Sequence, residues 1–252
     1  MPSFDVAGPR GGNPIILLHG ASWTRKMWLP QVKRLSGEFR VIALDLPGHG
    51  SLAGTRLTLD AAVEIVAETI DRQAGSRALL VGSSLGGYVA IETASRIPER
   101  VAGLVLSGAS AEYRGLLGLR ARVNALMLRL MSANPVRRRM EGALEDTPLS
   151  SAERAAIQRA GFYPKSWARA FEAVAGKSFR TKLQTYPGPV LILNGEYDLL
   201  NRKAEAALAA ATPRASVEVI GNAGHLCSLQ EPQAFADAVR TFARSAFGVS
   251  RA

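Results

Sequence analysis

The sequence predicts an α/β fold, a mostly parallel sheet with helices on both faces and a helical segment inserted late in its order. Three observations carry this. Short apolar runs of strand length alternate with stretches of 3.6-residue periodicity over 14–106 and again over 190–247. Between these blocks, 109–180 has helical periodicity and no convincing strand. A Gly-x-Ser-x-Gly segment, Gly82 to Gly86, joins one apolar run directly to the next helix.

The first clear strand is Pro14–Leu18, a continuous apolar run of the kind buried on both faces. A helix is expected near 26–35, then a strand over 40–45. Leu59, Val63, Val66 and Ile70 form one apolar stripe on a helix over 58–73. Strand 78–82 leads into helix 84–96, which Pro98 closes, and strand 101–106 follows. The insertion is broken at Asn134-Pro135, Thr147-Pro148 and Tyr163-Pro164, which gives about four helices. Alternation resumes with strand 190–194, helix 203–211, strand 216–220 and helix 232–247. Residues 1–108 and 181–252 are therefore expected to form the core and 109–180 a helical lid.

Composition narrows the class. A chain of 252 residues buries roughly three quarters of its unfolded surface as one domain, and 47% hydrophobic with 21% charged residues is ordinary for a globular protein. The first ten residues lack a basic segment followed by an apolar run, and no apolar stretch approaches the ~20 residues of a membrane span. Cys227 is the single cysteine, which excludes an intramolecular disulfide and a cysteine-based metal site. A cytoplasmic protein without metal or cofactor is expected. The net charge of +10 is uneven, since 110–182 holds 14 Arg and Lys against 6 Asp and Glu. Arg137-Arg138-Arg139 within it either dock an anionic partner, such as an acidic carrier protein, or are solvated surface charge. No nucleic-acid recognition motif accompanies the charge, so nucleic-acid binding is not expected.

The chemistry centres on Ser84. In Gly82-Ser83-Ser84-Leu85-Gly86 a sharp strand-to-helix turn would lift the Ser84 hydroxyl clear of the sheet edge, and glycines give that turn room. The bland alternative is an N-cap serine after a glycine turn. Ser83 fails the register, with Val81 and Leu85 as its flanks. A serine nucleophile needs a general base, and the chain has three histidines. Only His225, in Asn222-Ala223-Gly224-His225, lies downstream of a candidate acid in the order Ser, Asp, His. His19 and His49 read as structural. The orienting carboxylate follows the 190–194 strand in Gly195-Glu196-Tyr197-Asp198, with Asp198 favoured and Glu196 its rival. For an oxyanion, one donor is expected from the Leu85 amide at a helix N-terminus. The other is expected from the loop after the first strand, with Ala21 ahead of Ser22.

Together these segments resemble the α/β-hydrolase superfamily. The matching pieces are Leu17-Leu18-His19-Gly20, Asp45-Leu46-Pro47-Gly48-His49-Gly50, the Ser84 turn with Gly87, Pro98-Glu99-Arg100-Val101, Gly195-Glu196-Tyr197-Asp198 and Ala223-Gly224-His225. The resemblance covers nearly the whole chain and implies a triad of Ser84, Asp198 and His225, with Ala21 and Leu85 at the oxyanion positions. It implies hydrolysis of a carboxylic ester through an acyl-serine. Lactonase, thioesterase and C–C bond hydrolase chemistry, and a ligand receptor on the same fold, are the alternatives. A serine at 84 speaks against the dehalogenases and epoxide hydrolases of this fold, which carry aspartate there. Many relatives have two more N-terminal strands; here only Phe4-Asp5-Val6 is available, so six or seven strands are expected. The short start and helical lid look like carboxylesterases acting on pimeloyl-carrier-protein methyl esters, and like enol-lactonases. In the lid, Leu116, Leu119, Val123, Leu126, Met127 and Leu130 form an apolar arc that is expected either to cover the serine or to pack the lid onto the core.

Overall fold

The computed structural model describes residues 4–75 and 77–248. Seven strands form one sheet: β1 (Phe4–Ala7), β2 (Pro14–Leu18), β3 (Arg40–Leu44), β4 (Ala78–Ser83), β5 (Val101–Ser107), β6 (Val190–Gly195) and β7 (Ala215–Ile220). Their order is β1-β3-β2-β4-β5-β6-β7, with β1 antiparallel to β3 and every other pair parallel. Phe4 to Ala7 thus supply the extra strand, and the upper of the two expected counts holds.

Both faces of the sheet are covered, which is why the strands read as unbroken apolar runs. Ile16 and Leu18 of β2, Leu80 of β4 and Leu104 and Leu106 of β5 point to one side. There they meet α2 (Leu59–Thr69), α3 (Leu85–Arg96) and α8 (Phe179–Gln184), through residues such as Val66, Val89 and Leu183. Ile15, Leu17, Leu79, Val81 and Val105 point to the other side. Their partners lie on α1 (Leu29–Leu35) and α11 (Pro232–Ala246), among them Leu35, Phe235 and Val239. All residues of α3 from Leu85 to Ala94 are buried, since sheet, α2 and α8 enclose it.

The insertion contains α4 (Gly115–Leu130), α5 (Asn134–Glu145), α6 (Ser151–Ala160), α7 (Pro164–Val174) and then α8. The fifth helix, α8, is short and starts at a Ser178 cap that accepts from the Thr181 amide; its Phe179 and Leu183 belong to the main core. The helix expected over 203–211 is α9 (Leu199–Ala209), which starts four residues earlier, directly after Asp198.

Helix α4 corrects both expectations for its apolar arc. Leu116, Leu119, Val123, Leu126, Met127 and Leu130 face solvent, while Gly118, Ala121 and Ala125 are buried. Small residues let the α4 backbone approach α7 closely, so the helix turns its narrow side inward and leaves its bulky side out.

Candidate active site

Six loops at the carboxyl edge of the parallel strands build the site, the edge where open α/β sheets place their ligands. Between β4 and α3, Ser84 has φ 50 and ψ −113, a left-handed conformation for a residue with a side chain. Its backbone N–H donates to the Ser107 carbonyl at 2.7 Å, which anchors the turn on β5. The turn exists only because its neighbours are glycines: a Cβ on Gly86 would overlap the Leu18 carbonyl, and one on Gly87 the Ala109 side chain.

His225 follows β7, and its Nδ1 lies 2.7 Å from Asp198 Oδ2. Asp198 occupies the N-cap position of α9, and its carboxylate also accepts from Asn201 Nδ2 at 2.9 Å. Burial works against the Asp198 charge, but the hydrogen bonds from His225 and Asn201 outweigh it and hold its pKa below the ordinary aspartate value. Asp198 stays anionic and keeps the His225 proton on Nδ1. Glu196 faces elsewhere and accepts from the Asn222 amide at 3.0 Å.

Two residues that the sequence did not single out hold this pair. Asn201 Oδ1 accepts from the amides of Ser110 and Ala111, so one side chain joins Asp198 to the chain leaving β5. Gly108, at φ +61, has its Cα against the imidazole: a Cβ there would lie 2.7 Å from His225 Cε1 and 2.9 Å from Nδ1. The available signal was position alone, Gly108 directly after a central strand and Asn201 one turn past Asp198.

The loop after β2 is held from below by two histidines. His49 Nε2 accepts from the Ser22 amide at 3.1 Å, while its Nδ1 donates to Pro47 O. His19 Nε2 accepts from the Leu46 amide at 2.9 Å and its Nδ1 donates to Gly20 O. Burial pushes His19 down to about 4 and His49 down to about 3, the latter helped by His19 4.8 Å away, so both are neutral acceptors. Asp45 ties the second loop, accepting from the amides of Arg25 and Ser51 and pairing with the Arg25 guanidinium. The lid joins the same frame: Tyr163 N–H donates to Ser22 O and Ser166 Oγ to Gly48 O.

These constraints separate the two donor candidates. The Ser22 amide is committed to His49. Among the described residues, the amides of Ala21 and Leu85 have no acceptor within the protein. Ser84, Asp198, His225, Ala21 and Leu85 all line one cavity of about 190 Å³, walled by Tyr88, Tyr113, Trp167 and Phe171. A second cavity of about 310 Å³ meets it at Ser84, His225 and Trp167 and is bounded by Trp23, Met140 and Arg139. A larger cleft of about 550 Å³ beside Arg56, Lys165 and Arg169 contains none of these residues. Cys227 is buried against Ser107 Oγ, and burial pushes its thiol up to about 11, so it is no nucleophile. Among the described residues, no group of three or more His, Cys, Asp or Glu is placed to hold a metal ion. No helix among them is long and apolar enough to cross a membrane.

Residues 15–238 match the family model described as the alpha/beta hydrolase family. The chain belongs to that family. It is 31% identical over 243 residues to the dihydrolipoyllysine-residue acetyltransferase component of the acetoin cleaving system of Pseudomonas putida. That match covers 90% of this chain but only 62% of the relative's length. A pimeloyl-[acyl-carrier protein] methyl ester esterase of Nitrosospira multiformis is 26% identical over 250 residues, covering 92% of this chain and 95% of that protein. Among solved structures, a thermophilic esterase from Thermogutta terrifontis superposes with a TM-score of 0.79 at 27% identity, covering 97% of this chain and 93% of that one.

Proposed function

We propose that this α/β hydrolase is a serine esterase with Ser84 as nucleophile, His225 as general base and Asp198 as the carboxylate that orients it. The observation carrying this reading is the His225–Asp198 pair at 2.7 Å, sharing a cavity with a serine held in a strained turn. Ser84 Oγ attacks the ester carbonyl while His225 Nε2 takes its proton. Charge developing on the carbonyl oxygen meets the N–H groups of Ala21 and Leu85, the latter at the positive end of α3. His225 then protonates the leaving alcohol, and water, activated by the same imidazole, releases the acid from Ser84. The apolar cavity of about 190 Å³ suits a short acyl group, and the wider one of about 310 Å³ suits the alcohol.

The test is labelling with a fluorophosphonate probe followed by turnover of p-nitrophenyl esters of increasing chain length. Ser84→Ala is expected to abolish labelling and to lower kcat by about 10⁴-fold or more. The chain-length optimum is expected among the short acyl groups. Labelling that survives in Ser84→Ala would refute the nucleophile.

A further inference from the structure

Thirteen large hydrophobic residues are exposed among the described residues, and they are not scattered. Seven lie on α4 and its end, from Leu116 to Met131, with exposures between 48% and 81%. Three more, Tyr197, Leu199 and Leu200, lie at the start of α9, and the remaining Val6, Val217 and Val219 lie on the two edge strands. Seven on one helix and its end exceed what single surface hydrophobics explain.

At 100° per residue, Leu116, Leu119, Val123, Leu126, Met127 and Leu130 share a stripe about 100° wide, along a helix about 24 Å long. Arg120 borders the stripe on one side, Arg122 and Arg129 lie beyond the other, and α4 has no acidic residue. Arg137, Arg138 and Arg139 follow on α5, all exposed. The second group reaches the Ser84 cavity through Leu200, and the chain that enters α4 reaches it through Tyr113, two residues before the helix. Asn201, next to Leu200, accepts from the amides of Ser110 and Ala111 on that same chain.

We propose that α4, with the 197–200 turn, lies on an anionic lipid surface and sets the mouth of the Ser84 cavity against it. A convex apolar ridge flanked by arginines matches the planar boundary between acyl chains and anionic headgroups. Leucines enter the apolar layer while guanidinium groups stay level with phosphates. Arg129 is paired with Glu172, but Arg120 and Arg122 have no acid on α4, so a second copy of this chain fits less well: a two-fold contact through this face would bring these arginines together. Binding stands without the esterase reading; delivery of an ester substrate from the lipid rests on it.

The experiment is sedimentation with vesicles of phosphatidylcholine containing 30 mol% phosphatidylglycerol, using Ser84→Ala protein so that turnover plays no part. Binding is expected in low salt, weaker on phosphatidylcholine alone and weaker at 0.5 M salt. Leu119→Asp/Leu126→Asp is expected to lose at least tenfold in partition, and Arg120→Gln/Arg122→Gln about fivefold per arginine. These positions are exposed, so the same changes in the active chain should leave melting temperature and hydrolysis of a soluble short-chain ester unchanged. Absence of vesicle binding, or binding indifferent to both variants, overturns the proposal. So does a dimer in light scattering that Leu119→Asp/Leu126→Asp dissociates, or binding of an acidic carrier protein through this face with none to vesicles.

Discussion

Gly108→Ala tests how tightly the His225–Asp198 pair is held. The added Cβ would lie 2.7 Å from His225 Cε1, 2.9 Å from Nδ1 and 3.4 Å from Asp198 Oδ2. Ordinary contact begins near 3.4 Å, so the imidazole must shift by about 0.7 Å from its place beside Asp198. Misplacement of this order in a reacting geometry lowers rate by about 10- to 100-fold. The substitution also puts alanine at φ +61, a backbone cost of about 1 kcal/mol, which for a chain this size lowers Tm by about 2–4 °C. Gly248→Ala separates the two effects. Gly248 has φ +68 and nothing within 4 Å of a Cβ, so that variant carries the backbone cost alone. Steady-state hydrolysis of p-nitrophenyl acetate, rates of fluorophosphonate labelling and thermal melts of both variants make the assay. A Tm loss in Gly108→Ala at least as large as that in Gly248→Ala, with kcat reduced only in Gly108→Ala, is expected. Wild-type kcat in Gly108→Ala would refute the claim that contact with Gly108 sets the imidazole.

Three further outcomes follow from the same geometry. Asp198→Asn should lower kcat by about 10³- to 10⁴-fold, because the amide no longer holds the His225 proton on Nδ1; Glu196→Gln should stay within about twofold in the same assay. Asn201→Ala leaves the Ser110 and Ala111 amides without their acceptor and should cost roughly 2–4 kcal/mol in urea unfolding; an unchanged midpoint would contradict the role given to this side chain. His19 and His49 are depressed to about 4 and about 3 from 6.5, so below 6.5 the unfolded chain binds protons that the folded chain refuses. Stability from urea unfolding should therefore fall as pH drops from 7 to 5, by about 4 kcal/mol for the pair, with a dependence on pH that approaches two protons near pH 5. A flat profile over that window would mean that these imidazoles are solvated.

Much of the site was legible because its signals are local or follow chain order. The Ser84 turn needs glycine within two residues on each side, and Gly82, Gly86 and Gly87 stand next to it in sequence. His225 could be picked by order along the chain, and β1 by Phe4-Asp5-Val6 as the one segment available before the first clear strand. The partners of Gly108 lie 90 and 117 positions away, so its contact with Asp198 and His225 left no local trace. Glu196 and Asp198 are two residues apart on one turn, and only the path of that turn decides which of them reaches the imidazole.

Helix α4 marks the boundary most clearly. Its sequence determines an amphipathic helix, since bulky apolar residues recur at helical spacing opposite Gly118, Ala121 and Ala125. Periodicity distinguishes the two faces but does not say which one is inside. That was decided by α7, against which a small-residue face packs closely and a leucine face cannot. The loop after β2 makes the same point at the site itself. Sequence placed Ala21 and Ser22 side by side as amide donors, and the imidazole of His49, 27 residues away, claims the Ser22 amide. Local chemistry along the chain determined the strands, the strained serine and the order of the candidate catalytic groups. The direction each group faces depends on which distant backbone and side-chain partners the folded sheet brings within hydrogen-bond reach.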